Sequence, residues 1–167
     1  MALLDKYKED IEYHISKYPD KRSAVMPLLY IAQEEYGHIT PEAMQEIADL
    51  LDLDVTHVKG IVGFYTMYYD KPKGRYLIQI CTDLPCALRG AEEFSQHVCE
   101  TLGIQPGETT EDGLFTVENV MCLAACDKAP VMQVNFHYHE NLDLDKANKL
   151  IEALRREAEA SKPYHSE

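Results

Sequence analysis

The 167 residues suit one domain of ordinary size, or a small domain behind a helical appendage. With 46% of residues in the hydrophobic set, tyrosine included, the chain can bury a real core and is not a disordered one. A formal net charge of −13 leaves nothing to neutralise a row of phosphates, and it disfavours an anionic lipid surface.

No run of about eighteen apolar residues exists to span a membrane. Asp5, Glu9 and Asp10 sit where a signal peptide needs a basic start and an apolar run, and the start is also too acidic for a transit peptide. The expected location is the cytoplasm or another reducing compartment. Cysteines there are free, catalytic or ligated more often than paired in structural disulfides.

In chain order, the first seventy residues (1–70) read as helices in series. Leu4, Tyr7, Ile11, Ile15 and Tyr18 form an amphipathic stripe that Pro19-Asp20 ends. A second helix is expected from an N-cap at Ser23, with Pro27 near its first turn, Leu28, Ile31 and Ala32 inside, and Gly37 as its left-handed stop. Thr40-Pro41-Glu42 restarts the pattern with a hydroxyl cap, proline at N1 and a first-turn carboxylate. Met44, Ile47, Ala48 and Leu51 give the third helix its buried stripe. A fourth begins at Asp54 and carries Val55, Val58, Ile61 and Val62. Phe64, Tyr65, Tyr68 and Tyr69 then cluster before the breaker Asp70-Lys71-Pro72-Lys73-Gly74, where a domain boundary is expected. The aromatics read as a packing plug between subdomains, with a partner-binding surface as the sharper alternative.

From Arg75 the period changes. Tyr76–Ile80 is a β-type run leading directly to Cys81. Leu88 to Leu102 reads as a helix with Leu88, Ala91, Phe94, Val98 and Leu102 inside, stopped by Gly103. Further strands are expected at Leu114–Val117 and Val131–Val134, then a last helix carrying Leu150, Ile151 and Leu154, with fraying after Ala158. Strand, helix, strands and helix over 75–158 give an α/β layer resembling thioredoxin.

Four of the five cysteines fall in two short segments, Cys81-Thr82-Asp83-Leu84-Pro85-Cys86 and Cys122-Leu123-Ala124-Ala125-Cys126, thirty-five residues apart. Each segment follows a strand, so both loops are expected to project from one end of a sheet. Four thiolates complete a [2Fe–2S] centre, whose soft ligand demand they meet. Such a centre is anionic and becomes more so on reduction, so it calls for amide protons and nearby cations. The helix entry near Cys86, Arg89 and Lys128 are the expected sources, and Pro85 and Pro130 stiffen the loops. A zinc site with four thiolate ligands uses the same residues, although zinc knuckles favour C-x2-C. A dithiol enzyme would need C-x-x-C, which is absent, and four free thiols leave the two loop-borne pairs unexplained. Cys99 lies mid-helix and reads as core. His137 and His139 fit an exposed hairpin strand; His14, His38, His57, His97 and His165 read as surface or helix-end residues. No phosphate-cradling glycine loop appears, so the chain shows no evident site for a nicotinamide, flavin or nucleoside triphosphate; if it serves a dehydrogenase, other subunits must hold the substrate and flavin.

Several longer motifs join these loops. Tyr18-Pro19-x-x-Arg22-Ser23-Ala24, Gln33-Glu34-Glu35-Tyr36-Gly37 and Phe64-Tyr65-Thr66-Met67 lie in the helical part. Cys81-Thr82-x-x-Pro85-Cys86-x-Leu88-Arg89-Gly90, Gly107-Glu108-Thr109-Thr110-x-Asp112-Gly113-x-Phe115-Thr116 and Cys122-Leu123-x-Ala125-Cys126-x-x-Ala129-Pro130 lie beyond it. Together they make the chain resemble, over nearly its whole length, the 24-kDa subunit family of respiratory complex I, the NADH–quinone oxidoreductase of bacteria. The resemblance implies an α/β protein: an N-terminal helical segment followed by a thioredoxin-like [2Fe-2S] ferredoxin domain. It implies Cys81, Cys86, Cys122 and Cys126 as ligands of one [2Fe-2S] cluster, and a larger partner subunit holding FMN and NADH. The cluster would take one electron from the flavin, in a complex peripheral to the membrane on its cytoplasmic side. Related chains serve soluble NAD-dependent hydrogenases and formate dehydrogenases, so the module is better marked than the parent complex. The family commonly has glycine where this chain has Ala124. A loop that tolerates a methyl group there is the expectation; a positive φ would instead strain the alanine by about 1 kcal/mol.

Overall fold

The structure, a computed structural model, describes residues 2–160, without the side chains of Ala2 and Leu4. The Leu4 member of the first stripe, His165 and most of the expected frayed tail therefore lie outside the described residues. The chain divides into two compact units, Met1–Pro72 and Lys73–Glu167.

The first unit is helical. α1 (Ala2–Ser16) is interrupted at Tyr7, whose φ of −117° and ψ of 29° are not helical. The expected Ser23 cap is not used. Asp20 instead accepts from the Arg22 amide and caps a single 3₁₀ turn, Lys21–Ala24, that contains Ser23. α2 (Val25–Tyr36) follows without a side-chain cap and stops at Gly37, φ 73°. α3 (Pro41–Leu51) starts on Thr40, whose hydroxyl accepts from Ala43 N at 3.1 Å, and α4 (Val55–Phe64) starts on Asp54, which accepts from Thr56 N. Leu28, Leu29, Ala32, Ile47, Ala48, Leu51 and Val58 are buried together. Each large aliphatic side chain of this kind contributes about 1.5–3 kcal/mol by leaving water.

The aromatic segment after α4 divides. Tyr68 enters the helical unit's own core, and its hydroxyl donates to Met26 O at 3.1 Å. Gln33 on α2 pins its neighbours, donating to Met67 O and accepting from Tyr69 N, both at 2.8 Å. Phe64 and Tyr65 remain exposed.

The second unit is a four-stranded sheet with helices. β1 (Tyr76–Cys81) is central, parallel to β2 (Phe115–Val120) and antiparallel to β3 (Met132–Val134), which pairs with β4 (His137–His139) to give the order β2-β1-β3-β4. The period-two alternation sends Tyr76, Ile78 and Ile80 into one core. There they meet Phe115, Val117, Met132 and Val134 from the other strands. A short α5 (Leu84–Ala87) leads to α6 (Ala91–Leu102), and Phe94, Val98 and Leu102 of α6 join the core with Ala147 and Ile151 of α7 (Leu144–Ala160). The helix expected from Leu88 is thus split. Gly90, with φ 86°, ends continuity between α5 and α6, and Leu88 is exposed rather than inside. α7 runs to Ala160, past the expected point of fraying. Among the described residues, no helix is long and apolar enough to cross a membrane.

Candidate metal centre

Parallel pairing of β1 with β2 brings the two cysteine loops together. The register opposes Cys81 to Val120, so Cys122 emerges two residues beyond the same end of the sheet. Cys81 Sγ lies 3.4 Å from Met121 O and, as a thiol, donates to it. The Thr82 amide donates to Val120 O at 3.0 Å, and the Cys81 amide to Val131 O at 3.3 Å. The first loop is thus stitched to both β2 and the approach to β3.

From Thr82 the chain turns into α5. Asp83 caps it, accepting from Leu84 N at 2.9 Å, and Pro85 occupies its first turn, where a missing amide proton costs little. Cys86 lies inside this short helix. The expectation of unpaired amides downstream of Cys86 is not met. Ala87 donates to Asp83 O, Leu88 to Leu84 O, Arg89 to Cys86 O and Gly90 to Ala87 O.

Cys81 and Cys86 are buried with Ala91, Ala129 and Val131, and Leu123 and Ala125 pack against them. Cys122 and Cys126 are exposed. Cys86 and Cys126 each feel other cysteines of the set. Burial pushes the Cys86 thiol up to about 12, and a hydrogen bond with Cys81 and the nearby charges of Cys81, Cys126 and Cys122 act in the same direction. Burial also raises the Cys126 thiol, followed by the charge of Cys122, and then by Cys81, a hydrogen bond with Cys122, and Asp83. The set therefore associates as Cys81 with Cys86 and Cys122 with Cys126. Four mutually repelling thiolates are stable only around a cationic centre. Among the described residues, no three His, Cys, Asp or Glu side chains are arranged as a site for a single metal ion.

The second loop is held from outside. Ala124 has φ 55°, so the strained alternative is the one realised, and the expectation of simple tolerance is corrected. Its amide donates to Cys122 Sγ at 3.3 Å. Tyr138 on β4 donates from its hydroxyl to Leu123 O at 2.8 Å, Asn141 N donates to Lys128 O at 2.7 Å, and Leu142 N to Pro130 O at 3.0 Å. Sequence alternation marks 137–139 as a strand but carries no signal for this link from Tyr138 to the loop. Arg89 is exposed, and Lys128 faces Asp127 at 3.9 Å, so that cation is partly neutralised.

Cys99 stands apart, in the core of the second unit on α6. Burial raises its thiol and Glu108 adds to this, while Ser95 works the other way. His137 is exposed on β4, and His97 meets Asn148 Oδ1 at 2.9 Å.

The family model for thioredoxin-like [2Fe-2S] ferredoxin matches residues 11–155. A subunit of NADH-quinone oxidoreductase from Rhizobium meliloti is 45% identical over 148 residues, 89% of this chain and 88% of that one. NADH-quinone oxidoreductase subunit 2 of Thermus thermophilus is 44% identical over 158 residues, covering 93% and 87%. Among solved structures, an NAD+-reducing [NiFe]-hydrogenase in its H2-reduced state superposes with a TM-score of 0.68 at 24% identity. It covers 81% of this chain and 22% of that one, a likeness of fold. The motif resemblance is borne out: the chain belongs to the thioredoxin-like [2Fe-2S] ferredoxin family, with subunits of NADH–quinone oxidoreductase among its relatives.

Proposed function

We propose that this chain is the [2Fe-2S] electron-transfer subunit of an NADH dehydrogenase module, working within NADH–quinone oxidoreductase on the cytoplasmic side of the membrane. Cys81, Cys86, Cys122 and Cys126 would hold its cluster. When bound, the cluster would supply one-electron transfer from FMN on a partner subunit that also binds NADH. The observation that carries this reading is the convergence of the four thiols at one end of the sheet, two from the end of β1 and α5 and two from the loop after β2. The chain's own residues supply the enclosure. Ala91, Ala129 and Val131 keep water from Cys81 and Cys86, and the Ala124 amide is directed at Cys122.

The expected partner contact surrounds the same loops. Leu84, Leu88 and Met121 are 68%, 79% and 75% exposed, in or beside the cysteine segments. Apolar side chains so placed favour a protein neighbour over water. The chain performs no catalysis alone in this reading; the hydride chemistry belongs to the partner.

Purified protein tests the proposal. It should be reddish-brown, contain iron and acid-labile sulfide in equal amounts, and give a [2Fe-2S] EPR signal after dithionite reduction. Stoichiometric zinc in a colourless protein would replace this reading with a zinc-stapled scaffold. Co-purification from the native host identifies the parent complex by the flavoprotein that accompanies the chain.

A further inference from the structure

The geometry points to Tyr138 as a positioning residue that sets the reduction potential of the centre through a single peptide group; this rests on the cluster reading above. The carbonyl of Leu123 and the amide of Ala124 belong to the same peptide. Tyr138 Oη donates to the carbonyl at 2.8 Å, and the amide donates to Cys122 Sγ at 3.3 Å. A phenol on β4 is thereby connected to a sulfur in the cysteine loop by two hydrogen bonds in series. Donation into a peptide carbonyl polarises its N–H, so the first bond strengthens the second.

Both ends of the relay are fixed. Tyr138 opposes Gln133 in the β3–β4 ladder. The hairpin is tied to β1 by Asn135, which accepts from Leu77 N at 2.8 Å and donates to Arg75 O at 2.7 Å. At the other end, the Ala124 N–H reaches back onto the preceding cysteine, and the chain leaves that peptide through the positive φ of Ala124. Without the hydroxyl, that peptide loses a fixed restraint on its carbonyl side and can rotate its N–H away from the sulfur.

The consequence is electrostatic. One-electron reduction adds one negative charge to the cluster and its sulfurs. A hydrogen-bond donor to a ligand sulfur stabilises the reduced form more than the oxidised form, which raises the potential. Tyr138 therefore acts at a distance from the metal, by keeping a donor polarised and aimed.

Tyr138→Phe removes only the hydroxyl. In a dithionite titration followed by EPR, the loaded variant should have a more negative midpoint potential than wild type, with shifted g values. Phe136→Leu, on the same hairpin, should keep the wild-type potential. An unchanged or more positive potential in Tyr138→Phe would overturn the relay, as would an equal shift in Phe136→Leu. If Tyr138→Phe folds but does not load, hydrogen exchange at the Ala124 amide of the cluster-free chain decides: faster exchange than wild type supports the relay, and equal exchange overturns it. A wild-type chain without a [2Fe-2S] signal would instead overturn the cluster reading, and the relay with it.

Discussion

The amide of Ala124 reaches the sulfur of Cys122 from a left-handed backbone, at 3.3 Å and φ 55°. An L-residue is disfavoured there by about 1 kcal/mol, whereas glycine is not. Ala124→Gly should therefore stabilise the protein, by about 1 kcal/mol less the freedom that glycine adds to the unfolded chain, and so raise the denaturant midpoint at which the visible absorbance of the cluster is lost. The amide is kept, so the spectrum should stay that of wild type. A lower midpoint would show that Ala124 is not strained.

The cysteines separate into two classes that single substitutions distinguish. Cys122→Ala removes a sulfur that shares its surroundings with Cys126, and should abolish or alter the visible spectrum. Cys99→Ala removes a buried sulfur from the core of the second unit, at a cost of about 1 kcal/mol, and should leave spectrum and iron content unchanged. Equal spectra for the two variants would contradict the ligand assignment.

How much of the molecule is legible without coordinates depends on the range of the interaction. Caps at Thr40 and Asp54 and the stop at Gly37 are written in local chemistry, and they are found where that chemistry puts them. The ends of strands at the two cysteine loops are legible too, because β-type runs lead into them. Helical spacing misplaces Leu88, since it cannot show that Gly90 breaks the helix and leaves Leu88 on the surface. It misplaces the cap at Ser23 because Asp20, three residues earlier, caps a 3₁₀ turn that takes in Ser23 and runs directly into α2. The Tyr138 contact spans fifteen residues and depends on the β3–β4 register, which no local pattern specifies.

Asp83 combines two roles that can be separated. Its carboxylate caps α5 through Leu84 N, and its negative charge acts on Cys126. Asp83→Asn keeps an acceptor for the cap and removes the charge. The cluster potential should rise, because reduction then adds charge beside one negative group fewer. Asp83→Ala also loses the cap, at about 1 kcal/mol, and should release its iron faster than Asp83→Asn. Equal potentials in wild type and Asp83→Asn would show that the charge is fully screened.

His139 introduces a pH dependence whose sign follows from its burial. Burial disfavours the imidazolium and His137 adds repulsion, so its folded pKa lies below the ordinary 6.5. Between those two values the unfolded chain binds more protons than the folded one. The stability from keeping His139 neutral is therefore complete above about pH 6.5 and is lost as the pH falls through the ordinary value toward the lowered one. Thermal unfolding of His139→Gln should be flatter than wild type across this range. Parallel curves would place the titrating group elsewhere.

Gly74 governs the entry to β2 and, through it, the position of Cys122. A Cβ at this position would lie 2.7 Å from Phe115 C and 2.9 Å from both Phe115 N and Thr116 N, all of them backbone atoms. The Gly74 amide also donates to Thr116 Oγ1 at 2.6 Å, so the two segments are held together at the point of closest approach. Backbone cannot rotate aside as a side chain can, and Gly74→Ala must displace the start of β2. The expected cost is about 1–3 kcal/mol, the usual range for overpacking. The displacement is passed along a strand whose register with β1 opposes Cys81 to Val120, two residues before Cys122. Gly74→Ala should therefore lower the unfolding midpoint and broaden the EPR signal of the reduced cluster, although it touches no cysteine. Gly63→Ala, inside α4 where a Cβ meets nothing within 4 Å, should not lower the midpoint and should leave the EPR signal unchanged. If the two variants behave alike, close packing at Gly74 does not control the centre.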